Sequence, residues 1–221
     1  MFRRLFSAWK GKNLLSEAFD EFNTMLEVAK ELFNRVTDVL LGKPGAKVAD
    51  NDLHAQDSRI NDLERSIRAK ILEYLAFEPE GDTPAALVLF SVVKDAERLG
   101  DFCKDIMDIA AHFLANKSLG GYKEPFLQME AQLEDMFSKA QRAFLESDEK
   151  LAKEAVRTRV EVKTECKRLL AKVMAEEALD SERAASYALA IYYFKRVAAH
   201  LFNIASAVLV PITDIGHYKS E

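Results

Sequence analysis

Asp95-Ala-Glu97-Arg-Leu-Gly-Asp101-Phe-Cys-Lys-Asp105-Ile-Met-Asp108 sets Glu97, Asp101, Asp105 and Asp108 at i, i+4, i+8 and i+11. At about 100° per residue these four acids fall in a helical sector of roughly 80°. Like charges one turn apart repel, so a helix that keeps such a stripe needs water, facing bases or a bound cation. Toward the C-terminus the helix recurs without its acids, as Phe194-Lys195-Arg-Val-Ala-Ala199-His-Leu-Phe-Asn203-Ile. Two versions of one helix, one acidic and one not, predict a chain built from a repeat.

Around these segments helical periodicity dominates and no strand pattern stands out. A first helix is expected over about residues 13–41, burying Leu15, Phe19, Phe22, Leu26, Ala29, Phe33, Val36 and Leu40, with Gly42-Lys-Pro-Gly45 as its stop. A second covers about 51–76, with Ile60, Leu63, Ile67, Ile71 and Tyr74 as its seam. Thr83 as N-cap and Pro84 at the first helical position open the third, which runs to about Ala115 and carries the acidic stripe. Asn116-Lys-Ser-Leu-Gly-Gly121 reads as a junction. A fourth helix is expected over about 124–146, a fifth from a Ser147 or Asp148 cap to about Ala178, and a sixth from Ser181 to about Val210.

The seam Ile60, Ile67, Ile71 matches Val162, Leu169, Val173 at an offset of 102, and Glu97 matches Lys195 at 98. A near-constant offset over two helices predicts an all-α protein of two tandem three-helix bundles. The expected parts are a basic amphipathic segment over 1–12, a first repeat over 13–116, a second over 117–213 and a loose tail over 214–221.

Composition narrows the function. The chain has 221 residues, 49% hydrophobic and 30% charged, with only 8 Gly and 5 Pro, which favours long helices over many turns. A formal charge of −5 argues against general nucleic-acid binding. Cys103 and Cys166 sit apart in helical patterns with no C-x-x-C spacing, as reduced, buried thiols would. No apolar run reaches the roughly 18–20 residues that span a membrane, and no signal peptide is legible. The first 12 residues hold four positive charges and no acid, leaving −9 for the remainder. Phe2, Leu5, Phe6 and Trp9 share one helical face beside Arg3 and Arg4, so this segment either packs on its own domain or meets a partner or membrane surface.

Lys94-Asp-Ala-Glu-Arg-Leu-Gly-Asp-Phe-Cys-Lys-Asp-Ile106 resembles the Leu-Glu-Arg-Ile-Gly-Asp-His-Ala-x-Asn-Ile signature of PhoU proteins, bacterial regulators linked to phosphate uptake. Phe77-Glu-Pro79 stands where that family often has a Gln-Pro loop, and Asp57-Ser-Arg-Ile-Asn61 resembles its upstream Asp-x-x-Ile-Asn element. In the second copy only Arg196, His200, Asn203 and Ile204 follow the signature. The resemblance covers nearly the whole chain after residue 12. It implies a non-enzymatic, cytoplasmic regulator of phosphate uptake or phosphate signalling, a homodimer, peripheral at the inner membrane. Its partner would be a phosphate transporter, either an ABC type or a sodium/phosphate symporter, or an associated sensor kinase.

The resemblance also implies metal binding. Glu97 and Asp101 match the family's Glu-x-x-x-Asp motif, and Asp105 stands where Asn is common. Asp57, Asn61 and Glu64, at i, i+4 and i+7, are expected to face them from the second helix, and His112 continues the sector. Carboxylates offer hard oxygens, suited to Mg²⁺, Mn²⁺, Fe or Ca²⁺, with Zn²⁺ also open. A solvated face, or one answered by Arg65, Arg68 or Lys104, is the alternative. In the second copy Lys195 replaces the Glu, Ala199 the Asp, and Arg159 and Lys163 stand opposite. Cations there would repel a divalent ion, so a metal is expected in the first repeat only, and an anion such as phosphate is the conceivable ligand near Lys195 and Arg196. The sequence holds no phosphate-loop, G-x-S-x-G or H-E-x-x-H pattern. A metal-dependent phosphoester hydrolase and a metal-free helical adaptor remain the alternatives.

Overall fold

The computed structural model describes residues 13–78, 82–113 and 119–218, without the side chains of 112 and 113. Phe2, Arg3, Arg4 and Trp9, the His112 side chain and much of the 116–121 junction therefore lie outside the described residues.

Six α-helices account for most of the described residues: α1 Leu14–Leu40, α2 Asp50–Phe77, α3 Thr83–Asp108, α4 Lys123–Glu146, α5 Glu149–Ala175 and α6 Ser181–Ser206. Side chains cap α1, α3, α5 and α6, whereas α2 and α4 start without one. Asn13 and Ser16 form a reciprocal capping box on α1, with Ser16 N–H donating to Asn13 Oδ1 at 2.9 Å. Asp82, not Thr83, caps α3: its Oδ1 accepts from Ala85 N–H at 3.1 Å, which moves Thr83 and Pro84 inside the first turn. Asp82 N–H in turn donates to Tyr74 Oη at 2.8 Å, tying the start of α3 to the end of α2. Ser147 closes α4 in the left-handed region at φ 53° and Asp148 caps α5 through Lys150 and Leu151 N–H. The expected single long third helix changes pitch after Asp108, where residues Ile109–Phe113 form a π-helical turn.

The expected seams are buried, from Leu15 to Leu40 on α1 and at Ile60, Ile67, Ile71 and Tyr74 on α2, with Leu63 only partly covered. Helices α1, α2 and α3 pack as one three-helix bundle, and α4, α5 and α6 as a second. The bundles share one apolar core, joined where α3 packs on α6 and α1 on α4. In α1 and α4, Lys30 Nζ donates to Ser138 Oγ at 2.9 Å while Asn34 Nδ2 donates to Glu134 at 3.3 Å. Partner numbers fall on α4 as they rise on α1, so the pair is antiparallel. Phe33 meets Phe137 between these bonds, with centroids 5.4 Å apart. An offset of 104 maps Lys30 to Glu134, Asn34 to Ser138 and Phe33 to Phe137, so the contact repeats about an approximate two-fold axis through the phenylalanine pair.

Residues 212–218 fold back onto the shared core. Ile212–Asp214 forms a 3-10 turn, Ile215 and Tyr218 pack on the core, and Gly216 N–H donates to Ser206 Oγ at 3.0 Å. Gly216 has φ +81°, and a Cβ there would stand 2.9 Å from Asn203 Oδ1, so the turn needs glycine for both conformation and space.

Gly100 sets the distance between α2 and α3. A Cβ at this position would lie 2.8 Å from Ile60 Cδ1, so the helices approach closely where their polar residues face each other. Gly100→Ala gains roughly 1 kcal/mol of helix propensity, which offsets a small shift of the Ile60 terminus. Gly100→Val is expected to cost about 2–3 kcal/mol from overpacking. Urea denaturation midpoints should therefore place Ala near wild type and Val well below.

Candidate metal centre and its charge-inverted counterpart

The α2–α3 contact brings together most of the expected first-repeat residues. Glu97 is buried, and its side chain is 10% exposed. Asp101 lies one turn further along α3, with Asp57, Asn61 and Glu64 opposite on α2. Cations already bridge the acids. Lys104 Nζ stands 2.8 Å from Asp57 Oδ1 and 3.0 Å from Asp101 Oδ1. Lys94 Nζ stands 2.7 Å from Glu97 Oε1 and 3.8 Å from Glu64 Oε1. Arg68 pairs with Glu64 and Arg98 with Asp101, while Arg65 turns to Asp62 instead. Burial alone would lower the Lys104 pKa, but the bonds and charges of Asp57 and Asp101 outweigh it and hold the ammonium above its ordinary value. Lys104 thus stays charged and clips α2 to α3.

The donor chemistry fits a hard cation, since every candidate offers oxygen. One atom is left over: Glu97 Oε2 is buried without a hydrogen-bond partner, with Arg98 Nε at 3.8 Å. A buried carboxylate oxygen without a donor is costly, and a cation beside it would remove that cost. The present arrangement is not a finished cage, however. Among the described residues no three His, Cys, Asp or Glu side chains converge as metal ligands. An ion would have to displace Lys94 and Lys104 as the local positive charges.

Asp105 faces a different neighbour. It lies beside the Tyr193 hydroxyl of α6. Burial first, then the charges of Asp101 and Asp108, raise the Asp105 pKa above its ordinary value. Asp108 is exposed. Asp95 is the residue that sequence reasoning missed. Its Oδ1 lies 2.7 Å from His200 Nδ1 and accepts from Asn203 Nδ2 at 2.7 Å. Arg196 Nη2 lies 3.1 Å from His200 Nε2; a guanidinium can only donate, so this nitrogen accepts and Nδ1 carries the proton toward Asp95. Phe102 fills the centre, 5.9 Å from the Tyr193 ring and 5.3 Å from His200.

These contacts obey the repeat. The offset of 98 maps Asp95 to Tyr193, Phe102 to His200 and Asp105 to Asn203. The Asp95–Asn203 bond and the approach of Tyr193 to Asp105 are thus related pairings, one from each bundle, about an axis near Phe102 and His200. A usable signal was present in the sequence: Asn203 and His200 were among the few signature residues kept in a helix that had lost its acids.

On the second bundle the positions that match the first bundle's α2 and α3 acids become a cationic cleft between α5 and α6, lined by Arg159, Lys163, Lys195, Arg196 and Ala199 among others. The thiols take no part in either site. Cys103 and Cys166 are buried and free, and burial pushes Cys166 up to about 12 and Cys103 higher still.

A model of the PhoU domain matches residues 22–110 and again residues 126–208. No curated protein matches the chain by sequence. Among solved structures, PhoU from Pseudomonas aeruginosa is similar with a TM-score of 0.76 at 22% identity, over 89% of this chain and 95% of that one. The phosphate transport system regulatory protein PhoU from Streptococcus pneumoniae also has a TM-score of 0.76, at 17% identity over 88% and 93%. At these identities the two structures speak to the fold.

Two variants test this geometry. Asp95→Leu leaves His200 and Asn203 without their acceptor and is expected to cost about 1–3 kcal/mol in urea unfolding, whereas Asp95→Asn, which keeps one acceptor oxygen, should lose less. Because the folded Asp105 pKa is raised, its ionisation costs stability above its folded pKa and nothing below the unfolded value. Asp105→Asn should therefore raise the thermal midpoint at neutral pH, and that gain should vanish as pH falls below the ordinary aspartate range.

Proposed function

Because this chain belongs to the PhoU family, we propose that it regulates phosphate uptake by contact with a membrane phosphate transporter or its sensor, without catalysing a reaction. The observation that carries this reading is that the family model covers both bundles, not one. The likeness to a Streptococcus pneumoniae protein titled as a phosphate transport system regulator supports it. Among the described residues no helix is long and apolar enough to cross a membrane, so contact with a transporter would be made from outside the bilayer. The basic, aromatic residues Phe2, Arg3, Arg4 and Trp9 are the proposed contact with the partner or membrane surface, and a homodimer is the proposed assembly.

In this reading the first bundle holds a hard or borderline metal ion, of the Mg²⁺, Mn²⁺, Fe or Zn²⁺ kind. Glu97 and Asp101 would hold it from α3, with Asp57, Asn61 and Glu64 from α2. The orphaned Glu97 Oε2 supports this. Asp105 would join only after leaving Tyr193. When bound, the ion supplies a double positive charge that ties α2 to α3. A second reading, a metal-free adaptor, is favoured by Lys94 and Lys104, which already bridge these acids.

Elemental analysis of purified protein separates the two. Bound metal in wild type and its loss in Glu97→Gln/Asp101→Asn is the expected result. Equal metal content in both proteins would leave the adaptor. The regulatory role is tested by membrane pull-down from phosphate-starved and phosphate-replete cells. A phosphate transporter or its sensor should co-purify, less so after deletion of residues 1–12. Recovery of no membrane protein by either form would remove the proposed contact.

A further inference from the structure

The cleft of the second bundle has a volume of about 340 Å³ and is lined by Arg159 and Lys163 of α5 and Tyr192, Lys195, Arg196, Ala198 and Ala199 of α6. Four of these side chains are cationic and none is acidic. Among the described residues no carboxylate lies within ion-pair distance of any of the four, although most other bases here, including Lys139 and Arg168 on the same bundle, have an acidic partner. Their other contacts are neutral. Arg159 lies over the Phe202 ring at 4.4 Å, and Arg196 lies over Phe102 at 5.6 Å and donates to His200. Arg196 Nε is buried and has no hydrogen-bond partner.

Four cations around one cleft repel one another, and a guanidinium N–H without an acceptor adds to the cost. An anion relieves both. The charge is specific to this bundle. The repeat offsets map Arg159 to Asp57, Lys163 to Asn61, Lys195 to Glu97 and Ala199 to Asp101. The same backbone position is therefore acidic and clipped by lysines in one half, and basic and uncompensated in the other. Ala199 also leaves empty the space that a carboxylate fills in the first bundle.

We propose that this cleft binds a dianionic phosphate group, either as free orthophosphate or as the terminal group of a small phosphomonoester. Two guanidinium groups match tetrahedral oxyanions with paired N–H donors, and two flexible ammonium groups close around the remaining oxygens. The volume has room for more than the phosphate itself, which is why both sources fit. The proposal rests on the cleft alone and needs neither the metal in the first bundle nor a transporter partner.

Isothermal titration of the purified full chain with orthophosphate, and separately with glycerol 3-phosphate, tests it at fixed ionic strength. Lys163 and Lys195 have solvent-accessible heads, so Lys163→Gln/Lys195→Gln should fold, as circular dichroism would verify. Lys150→Gln/Lys153→Gln removes the same charge from an exposed part of α5. Saturable binding of at least one ligand, weakened about tenfold or more in the cleft variant and unchanged in the control, is expected. The tighter ligand then identifies the source. No saturable binding of either ligand, or equal affinity in wild type and the cleft variant, would overturn the proposal.

Discussion

The antiparallel packing of α3 against α6 is the constraint on which the rest of the molecule depends. It joins the two bundles about an approximate two-fold axis, and it does so with polar groups embedded beside a shared apolar core. Asp95 reaches His200 and Asn203, and the symmetry-related Tyr193 reaches Asp105. Such partly buried bonds add little net energy when made but are expensive to leave unmade. They therefore fix which turn of α3 faces which turn of α6, while Phe33, Phe137, Phe126 and Phe194 supply the apolar attraction. Once that register is set, the outward faces of α3 and α6 are fixed as well, and both charged sites lie on those faces.

One backbone arrangement thus carries two opposite electrostatic solutions. In the first bundle the acids of α2 and α3 are answered from within by Lys94, Arg98 and Lys104, spaced so that each meets an acid three residues away or across the helix pair. In the second bundle the corresponding bases are left without internal acids. Where Gly100 meets Ile60 in the acidic half, the repeat places Ala198 and Val162 in the other, a methyl moved from one helix to its neighbour.

Much of this was legible in the sequence, for reasons that differ by element. The six helices could be read because their apolar periodicity is long, the stops after the first three carry Gly or Pro, and Asp or Ser residues mark the starts of the last two. The charge inversion could be read because the seam residues align the two halves. The cap of α3 was misplaced by one residue, since Asp82 and Thr83 are both good caps and only the Ala85 amide decides between them. The pitch change after Asp108 leaves no mark in composition. The role of Asp95 was hidden for a deeper reason: its partners are far away in sequence, and periodicity reports which face of a helix is buried, not which polar group awaits it there. The stretch after Asp214 looked loose because few of its residues are apolar, yet within its described residues a single turn at Gly216 bonds back to Ser206.

That turn has a consequence for how the chain is made. Asp95 and His200 are separated by 105 positions. At a synthesis rate of 5–20 residues per second, the first bundle waits about 5–20 s for the helix that completes its polar contacts. Gly216, whose backbone rests on the Asn203 amide and bonds Ser206, emerges later still. During that interval the nascent first half displays the inner face of α3, with Asp95 and Asp105 unsatisfied and Phe102 uncovered. Until α6 arrives, water must satisfy the polar groups of this seam, so completing the contact exchanges hydration for internal bonds.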